Sequence, residues 1–243
     1  MKKLYLRYPE FNITSLNNDL VSLSLEFDSL SPVCGLSKIL PFLENNQTLT
    51  ELKLYRCIIS IYSLEKLVHL NTNLTTLILK NTNIGYNSPL LANLLKNNRT
   101  ITTLGLQNNN IGGISVSYLA DSLKINTTLT KLNINNNNIG NYGIFYLTEA
   151  LKTNTSLKTL CLKNCNIANN GLQYMASTLK INTTLTGLNL NQNNFSRSII
   201  QSFADLLTTN TILTKVEIGD NMIDSTIISL KNTVKLNYIR KIN

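Results

Sequence analysis

The sequence contains no tryptophan, one histidine, four prolines and ten glycines, and only 14% of its 243 residues are charged. Each shortage excludes something. Without tryptophan, no binding surface can be anchored on the residue most enriched at interface hot spots. A lone histidine, His69, leaves acid–base chemistry to carboxylates or to an activated nucleophile. Prolines and glycines are scattered, so no linker-like stretch divides the chain, and residues 1–243 are expected to form a single domain. No run of about 18 apolar residues is present, so no membrane insertion is expected. At the N-terminus Arg7, Pro9 and Glu10 interrupt the chain before the apolar core of a secretory leader can form. The four cysteines (Cys34, Cys57, Cys161 and Cys165) lack zinc-type pairing and suit free thiols in a reducing compartment. A cytoplasmic protein is the expectation, and delivery into a host cell without a signal peptide would leave no mark in the sequence.

What replaces charge is asparagine, roughly one residue in six. Disordered chains combine low hydrophobicity with high charge. This chain is 43% hydrophobic and sparsely charged, which favours a folded core. The stretch NINNNNIG, residues 133–140, shows the difficulty, because asparagine is a turn former depleted in strands.

A repeat resolves it. The template L-x-x-L-x-L-x-x-[N/C]-x-[I/L] begins at positions 20, 49, 74, 101, 129, 157, 185 and 213, and the last four intervals are each 28 residues. One copy reads Leu129, Leu132, Ile134, Asn137, Ile139, and the next Leu157, Leu160, Leu162, Cys165, Ile167. The alternation around the two central apolar residues is strand-like. About 15 residues later a helical pattern follows, as at Leu119 and Leu123, four apart on one face. A strand, a helix and a further parallel strand form a crossover unit that must stack on its neighbours to bury both faces.

These residues resemble the leucine-rich repeat family, in its 28-residue ribonuclease-inhibitor-like class, over residues 20 to about 235. The resemblance implies an α/β fold: a right-handed solenoid, or horseshoe, with a parallel sheet on the concave face and helices on the convex face. Residues 1–19 are expected to cap the N-terminus, residues 20–224 to form about eight repeats, and residues 225–243 to form a closing helix and a basic tail. The family places a buried side chain just after each strand, bonded to neighbouring backbone. Asn109, Asn137, Asn193 and Asn221 occupy that column, Cys57 and Cys165 substitute in it, and Thr82 and Asp28 are weaker substitutes. A second column, Asn46, Asn73, Asn98, Asn126, Asn154, Asn182 and Asn210, lies between helix and next strand. Six of its seven members head N-x-[S/T] triplets, but recurrence at the repeat period points to turn chemistry rather than glycosylation.

No catalytic constellation emerges, and no enzyme or cofactor is expected. His69 takes the place that Lys96, Lys124, Lys152 and Lys180 hold in later repeats. There a cation stabilises a helix C-terminus by roughly 0.3–1 kcal/mol. That column also absorbs much of the net charge of +9, so a specific nucleic-acid partner is not implied. Cys161 points toward the concavity and Cys165 toward the core, so the two do not form a metal pair. Gly85, Gly112 and Gly140 recur with the array as turn residues. Tyr118, Tyr146 and Tyr174 lie 28 apart on successive helices and are expected to pack between them with hydroxyls at the surface.

In this family partners meet the concave sheet and adjoining loops. The residues projecting there that are candidates to contact a partner are Glu51, Lys53, Tyr55, Ile78, Lys80, Gln107, Lys131, Asn133, Asn135, Lys163, Asn189 and Asn191. Tyr55, Lys53, Lys80 and Ile78 form the best anchor, with Arg56 adjoining. The expected function is a monomeric, non-enzymatic scaffold that binds a protein partner. The alternatives are a GTPase-activating regulator of the Ran-activator type, although this chain ends in Arg240 and Lys241 rather than an acidic tail, and a nonspecific nucleic-acid binder. An asparagine-, lysine- and isoleucine-rich composition suits an AT-rich coding sequence and makes a host-directed effector one further reading.

Overall fold

A computed structural model describes residues 2–7, 19–31, 36–60, 63, 65–66 and 73–219. Nine strands form one sheet in sequence order: β1 (Lys2–Arg7), β2 (Leu20–Ser31), β3 (Glu51–Cys57), β4 (Thr76–Lys80), β5 (Thr103–Gly105), β6 (Lys131–Asn133), β7 (Thr159–Cys161), β8 (Gly187–Asn189) and β9 (Lys215–Glu217). All neighbouring pairs are parallel. The helices are α1 (Leu36–Asn45), α2 (Ser88–Asn97), α3 (Gly113–Leu123), α4 (Gly140–Leu151), α5 (Asn169–Leu179) and α6 (Arg197–Leu207), with a 3₁₀ turn at Ile84–Asn87 before α2. From α2 to α6 each helix packs on the next, so helices and strands form two layers. This is the leucine-rich-repeat solenoid.

The repeat columns set the register. Leu52, Leu77, Leu104, Leu132, Leu160 and Leu188 stand opposite one another across six strands and are at most 2% exposed. The helices meet them with the i, i+3, i+4, i+7 stripe of an amphipathic helix. It comprises Val116, Leu119, Ala120 and Leu123 on α3, and Ile200, Phe203, Ala204 and Leu207 on α6, all buried. The segment expected to cap the N-terminus supplies a strand of its own: β1 pairs with β2, setting Leu4 against Leu23 and Leu6 against Leu25. Residues 8–18, Cys34, His69, Asn221 and the closing segment 225–243, for which the sequence carries expectations, lie outside the described residues.

Two buried asparagine columns fasten one repeat to the next. After β6, Asn137 donates to the carbonyls of Leu106 and Ile134, both at 2.8 Å. Its Oδ1 accepts from the amides of Asn109 (2.9 Å) and Ile111 (3.0 Å) of the preceding repeat. Asn193 repeats the pattern, donating to Leu162 and Leu190 and accepting from Cys165 and Ile167. Cys165 fills the same place with a weaker bond, its Sγ reaching the Ile134 carbonyl at 3.4 Å. Thr82 cannot span the gap, and its amide and hydroxyl both donate to Asn109 Oδ1.

The second column does more than turn the chain. Asn126 Oδ1 accepts from the amides of Thr128 and Leu129, which makes the turn. Its Nδ2 also donates to the carbonyl of Leu95, near the end of the preceding helix. Asn154, Asn182 and Asn210 reach back in the same way to Leu123, Leu151 and Leu179. Each thereby satisfies a carbonyl that a helix end leaves orphaned. Side chains buried and bonded in this way are closed to glycosylation; Asn73 is the exposed exception.

A third asparagine column is conformational. Asn81, Asn108, Asn136, Asn164 and Gln192, just after the strands, and Arg56, near the end of β3, adopt left-handed backbone, φ between 51° and 57°. Asparagine tolerates this region better than any residue except glycine. Among the turn glycines only Gly140 needs it, at φ +60°. Gly85 instead admits a close approach: a Cβ there would lie 2.5 Å from the Asn110 carbonyl oxygen.

Truncating Asn137 to alanine strands buried backbone groups in two repeats. Asn137→Ala is therefore expected to lower stability by about 1–3 kcal/mol, and Asn138→Ala, at an exposed position, by less than about 0.5 kcal/mol. Urea unfolding midpoints of the two variants check this; equal losses would refute the column assignment.

Candidate interaction surface

The strand face is built from the side chains that alternate with the buried leucines. The register sets Lys53 beside Ile78 and Ile78 beside Gly105, and sets Tyr55 beside Lys80. The Asn81 amide donates to the Gln107 carbonyl, which extends this second row. Lys53, Tyr55, Ile78, Lys80 and Gln107 therefore form one contiguous patch over β3 to β5. Lys131, Asn133, Asn135, Lys163, Asn189 and Asn191 continue along the face toward β8 and are half-buried except for exposed Lys131.

Not all of these groups are available to a partner. Asn133 Oδ1 accepts from the Asn135 amide, Asn135 Oδ1 from the Lys163 amide and Asn189 Oδ1 from the Asn191 amide. Asn189 also donates to Glu217. Much of the polar middle of the face is thus occupied in holding the loop that leaves each strand. Asn136 and Asn138 lie beyond the strand face, on the loop edge.

At the N-terminal end the charges pair with each other. Glu51 meets Lys53 at 2.9 Å and accepts from Ser22 at 2.6 Å. Burial opposes ionisation of Glu51, but the hydrogen bonds from Lys53 and Ser22 outweigh it and hold the carboxyl below its usual range. Arg56 lies 3.8 Å from Glu26, to which Tyr5 also donates. Pairs as exposed as these are worth at most about 1 kcal/mol each. Burial raises the pKa of Tyr55, keeping its hydroxyl a neutral donor. Among the described residues Lys80, Lys131 and Lys163 make no ion pair.

One feature of the patch was not visible in the sequence. The Oε1 atom of Gln107 is buried without a hydrogen-bond donor among the described residues. It lies over Gly105, where a Cβ would come 2.9 Å from it and 2.7 Å from Ile78 Cδ1. Ile78 and Gln107 thus close over the Gly105 backbone, with the unsatisfied acceptor packed beneath the surface. Asn191 Oδ1 is a second such acceptor farther along the face.

Chemistry is sparse elsewhere. Among the described residues no cluster of histidine, cysteine and carboxylate side chains can hold a metal ion. Burial raises the pKa of Cys161, and nearby Lys131 and Lys215 only oppose it. Cys165 is pushed up to about 12, again by burial. Both are protonated thiols near neutral pH and so poor nucleophiles. The three repeat tyrosines differ from one another. Tyr146 is half-buried, its hydroxyl 3.0 Å from that of Tyr142, whereas Tyr118 and Tyr174 keep 44% and 39% exposure. Phe145 bridges α4 and α5, edge-on to both Tyr146 and Tyr174.

The fold and the repeat columns agree with comparisons to known proteins. A leucine-rich repeat family profile matches residues 97–120, 126–147 and 153–176. The leucine-rich repeat-containing protein LegL7 from Legionella pneumophila is similar in structure, with 19% identity and a TM-score of 0.67, over 96% of this chain and 78% of that one. Actin-binding site 2 of leiomodin-1 is similar at 21% identity and a TM-score of 0.59, over 64% of this chain and 91% of its own. The tropomodulin C-terminal domain of Caenorhabditis elegans is similar at 14% identity and a TM-score of 0.56, over 65% and 95%. Comparison with curated sequences gives no match. Three leucine-rich repeats are thus matched within residues 97–176, and the fold is the one shared by leucine-rich repeat proteins, a fold that generally serves as a protein-interaction scaffold. Among the described residues no helix is long and apolar enough to cross a membrane.

Because the folded pKa of Cys165 exceeds that of a free thiol, the stability it contributes is complete below about pH 8.5 and is lost as pH rises toward about 12. Iodoacetamide at pH 8 is expected to leave Cys165 unmodified in the folded protein and to modify it once urea unfolds the chain, read by peptide mass spectrometry. Rapid modification in the folded state would refute the buried-thiol assignment.

Proposed function

We propose that this protein is a non-enzymatic scaffold that binds a protein partner through its strand face, anchored at Lys53, Tyr55, Ile78, Lys80 and Gln107. The observation that carries the proposal is the unsatisfied Gln107 Oε1 packed over Gly105 within this patch. A buried acceptor without a donor costs about 1–3 kcal/mol, a cost recovered when the Gln107 side chain turns outward to meet a partner's donor. The surroundings suit a protein ligand. Ile78 supplies apolar contact, Tyr55 an amphipathic ring of the kind enriched at hot spots, and Lys80 a cation without an ion pair among the described residues. Glu51, Lys131, Asn133, Asn135, Lys163, Asn189 and Asn191 form the polar surround. An array of similar fold constitutes actin-binding site 2 in leiomodin-1, which supports the use of such an array as a docking surface.

The chain acts as a monomer in this reading, in the cytoplasm. A Ran-type activating role rests on the family resemblance alone and a host-directed effector role on composition alone, so neither is part of the proposal. Nucleic-acid binding is disfavoured because the lysines are spread by repeat and no aromatic stacking surface accompanies them on the strand face.

A photocrosslinking residue placed at Tyr55 or Lys80 in the native cell is expected to capture a discrete protein, and one placed at Tyr174 on the helical face is not. Tyr55→Ala should weaken that capture by at least about tenfold with little change in the unfolding midpoint. Equal capture from both faces, or none from the strand face, would refute the proposal.

A further inference from the structure

The loops leaving the strands enclose a groove of about 820 Å³ along the edge of the array. Of its ten lining residues eight carry side-chain amides, one is Tyr86, one is Gly112, and none is charged. The amides are ordered by one another. Asn166 donates to Asn138 and Asn194 to Asn166, each at 2.8 Å, while Asn164 donates to Asn136 at 3.2 Å. A side-chain amide has two N–H donors and an oxygen with two lone pairs. Asn166 spends one of each within the ladder and turns the others outward. The groove is therefore walled by donor–acceptor edges that recur once per repeat.

This lining selects a ligand class. No cation is present to neutralise phosphate or carboxylate, so nucleic acids and anionic lipids find no counter-charge. No carboxylate is present to hold a metal ion or an ammonium group. A wall of amides with one aromatic ring does not desolvate an apolar ligand. Neutral, polar ligands remain, and spacing divides them. Parallel strands lie about 4.8 Å apart, whereas an extended peptide advances about 3.3 Å per residue and repeats its outward groups every second residue, at about 6.6 Å. A peptide thus falls out of step within two repeats. A chain of β-1,4-linked pyranose rings advances per sugar by nearly the spacing of the ladder, and because each ring is turned over relative to the last, its like edges recur at every second repeat and stay in step. Its adjacent hydroxyls, one donating and one accepting, complement the outward edge of a side-chain amide.

Tyr86 supplies what amides lack. It is the most exposed large hydrophobic side chain among the described residues, 79% exposed at the N-terminal end of the groove. At Gly112, also in the lining, an added Cβ would meet nothing within 4 Å, so there is room above the backbone. The ring offers a face for the apolar C–H surface of a sugar, as aromatic rings with a wet edge commonly do at recognition sites.

From this lining we infer that the groove is a binding site for a neutral β-linked oligosaccharide, with about one sugar per repeat hydrogen-bonded to the amides and a terminal ring stacked on Tyr86. The site lies on the loop edge and is independent of the strand-face reading above.

Titration of the full chain with cellotetraose and with N-acetylated chitotetraose, followed by NMR of the side-chain amides, tests it. The expected result is saturable shifts at Asn138, Asn166 and Asn194 with a Kd on the order of 1 mM, unchanged in about 0.5 M salt, where charge-based binding is screened. Tyr86→Ala should weaken binding by about tenfold. Asn138→Ala should weaken it too, and the spectrum itself reports that both variants are folded. Presenting the tetrasaccharide free and on a carrier protein separates the two sources: equal binding indicates a free polysaccharide and tighter binding on the carrier a protein-borne glycan, and either supports the site. The inference is overturned if neither sugar shifts these resonances at about ten times that concentration, if Tyr86→Ala binds as the parent does, or if an uncharged tetrapeptide shifts the same resonances as strongly.

Discussion

The structure depends on a single bond pattern, an asparagine amide that donates to its own repeat and to the one before it and accepts from the one before it. Asn137 and Asn193 each join two repeats through hydrogen bonds made on both sides. Leucine burial supplies more energy, about 1.5–3 kcal/mol per fully buried side chain, against about 0.5–1.5 kcal/mol for each hydrogen bond made. Hydrophobic burial is non-directional, though, and leucines alone would tolerate neighbouring repeats sliding past each other. A misplaced amide would leave buried donors and acceptors unpaired on both sides. Asparagine therefore sets the register that leucine makes stable. The second column does the same at the other end of the repeat, where Asn126, Asn154, Asn182 and Asn210 tie each turn to the preceding helix.

The same logic accounts for an unusual composition. In the run from Asn133 to Asn138 five asparagines share four roles. Asn133 and Asn135 hold the departing loop, Asn136 adopts a left-handed backbone, Asn137 bridges repeats and Asn138 joins the exposed ladder. Polarity in this protein is largely supplied by amides rather than charges. Long-range electrostatics are consequently weak relative to the short-range demands of hydrogen bonding.

The repeat made much of the fold legible in the sequence. The leucine columns, the strand-then-helix order and the buried place of Asn109, Asn137, Asn193, Cys57 and Cys165 follow from a chemical class recurring at a fixed interval. What escaped had no distinct chemical signature. The left-handed column looks like loop polarity, because φ is not written in residue type when asparagine fills every role. The backward reach of Asn126 to Leu95 depends on how helices stack, which a single repeat does not show. On the strand face the projecting residues were identifiable by alternation. That Asn133, Asn135 and Asn189 bond the local backbone, and that Gln107 covers Gly105 with an unpaired oxygen, depends on side-chain conformation. The amide groove along the loops likewise exists only once the array is stacked.

Native-state hydrogen exchange tests the central role of the asparagine bridge most directly. The amides of Asn109, Ile111, Cys165 and Ile167 lie in loops but donate to Asn137 or Asn193. If those side chains hold the repeats together, these four amides should exchange only with the opening of the array, at free energies close to global unfolding. Exchange as fast as that of the Asn138 amide, in the same run of asparagines, would contradict the account.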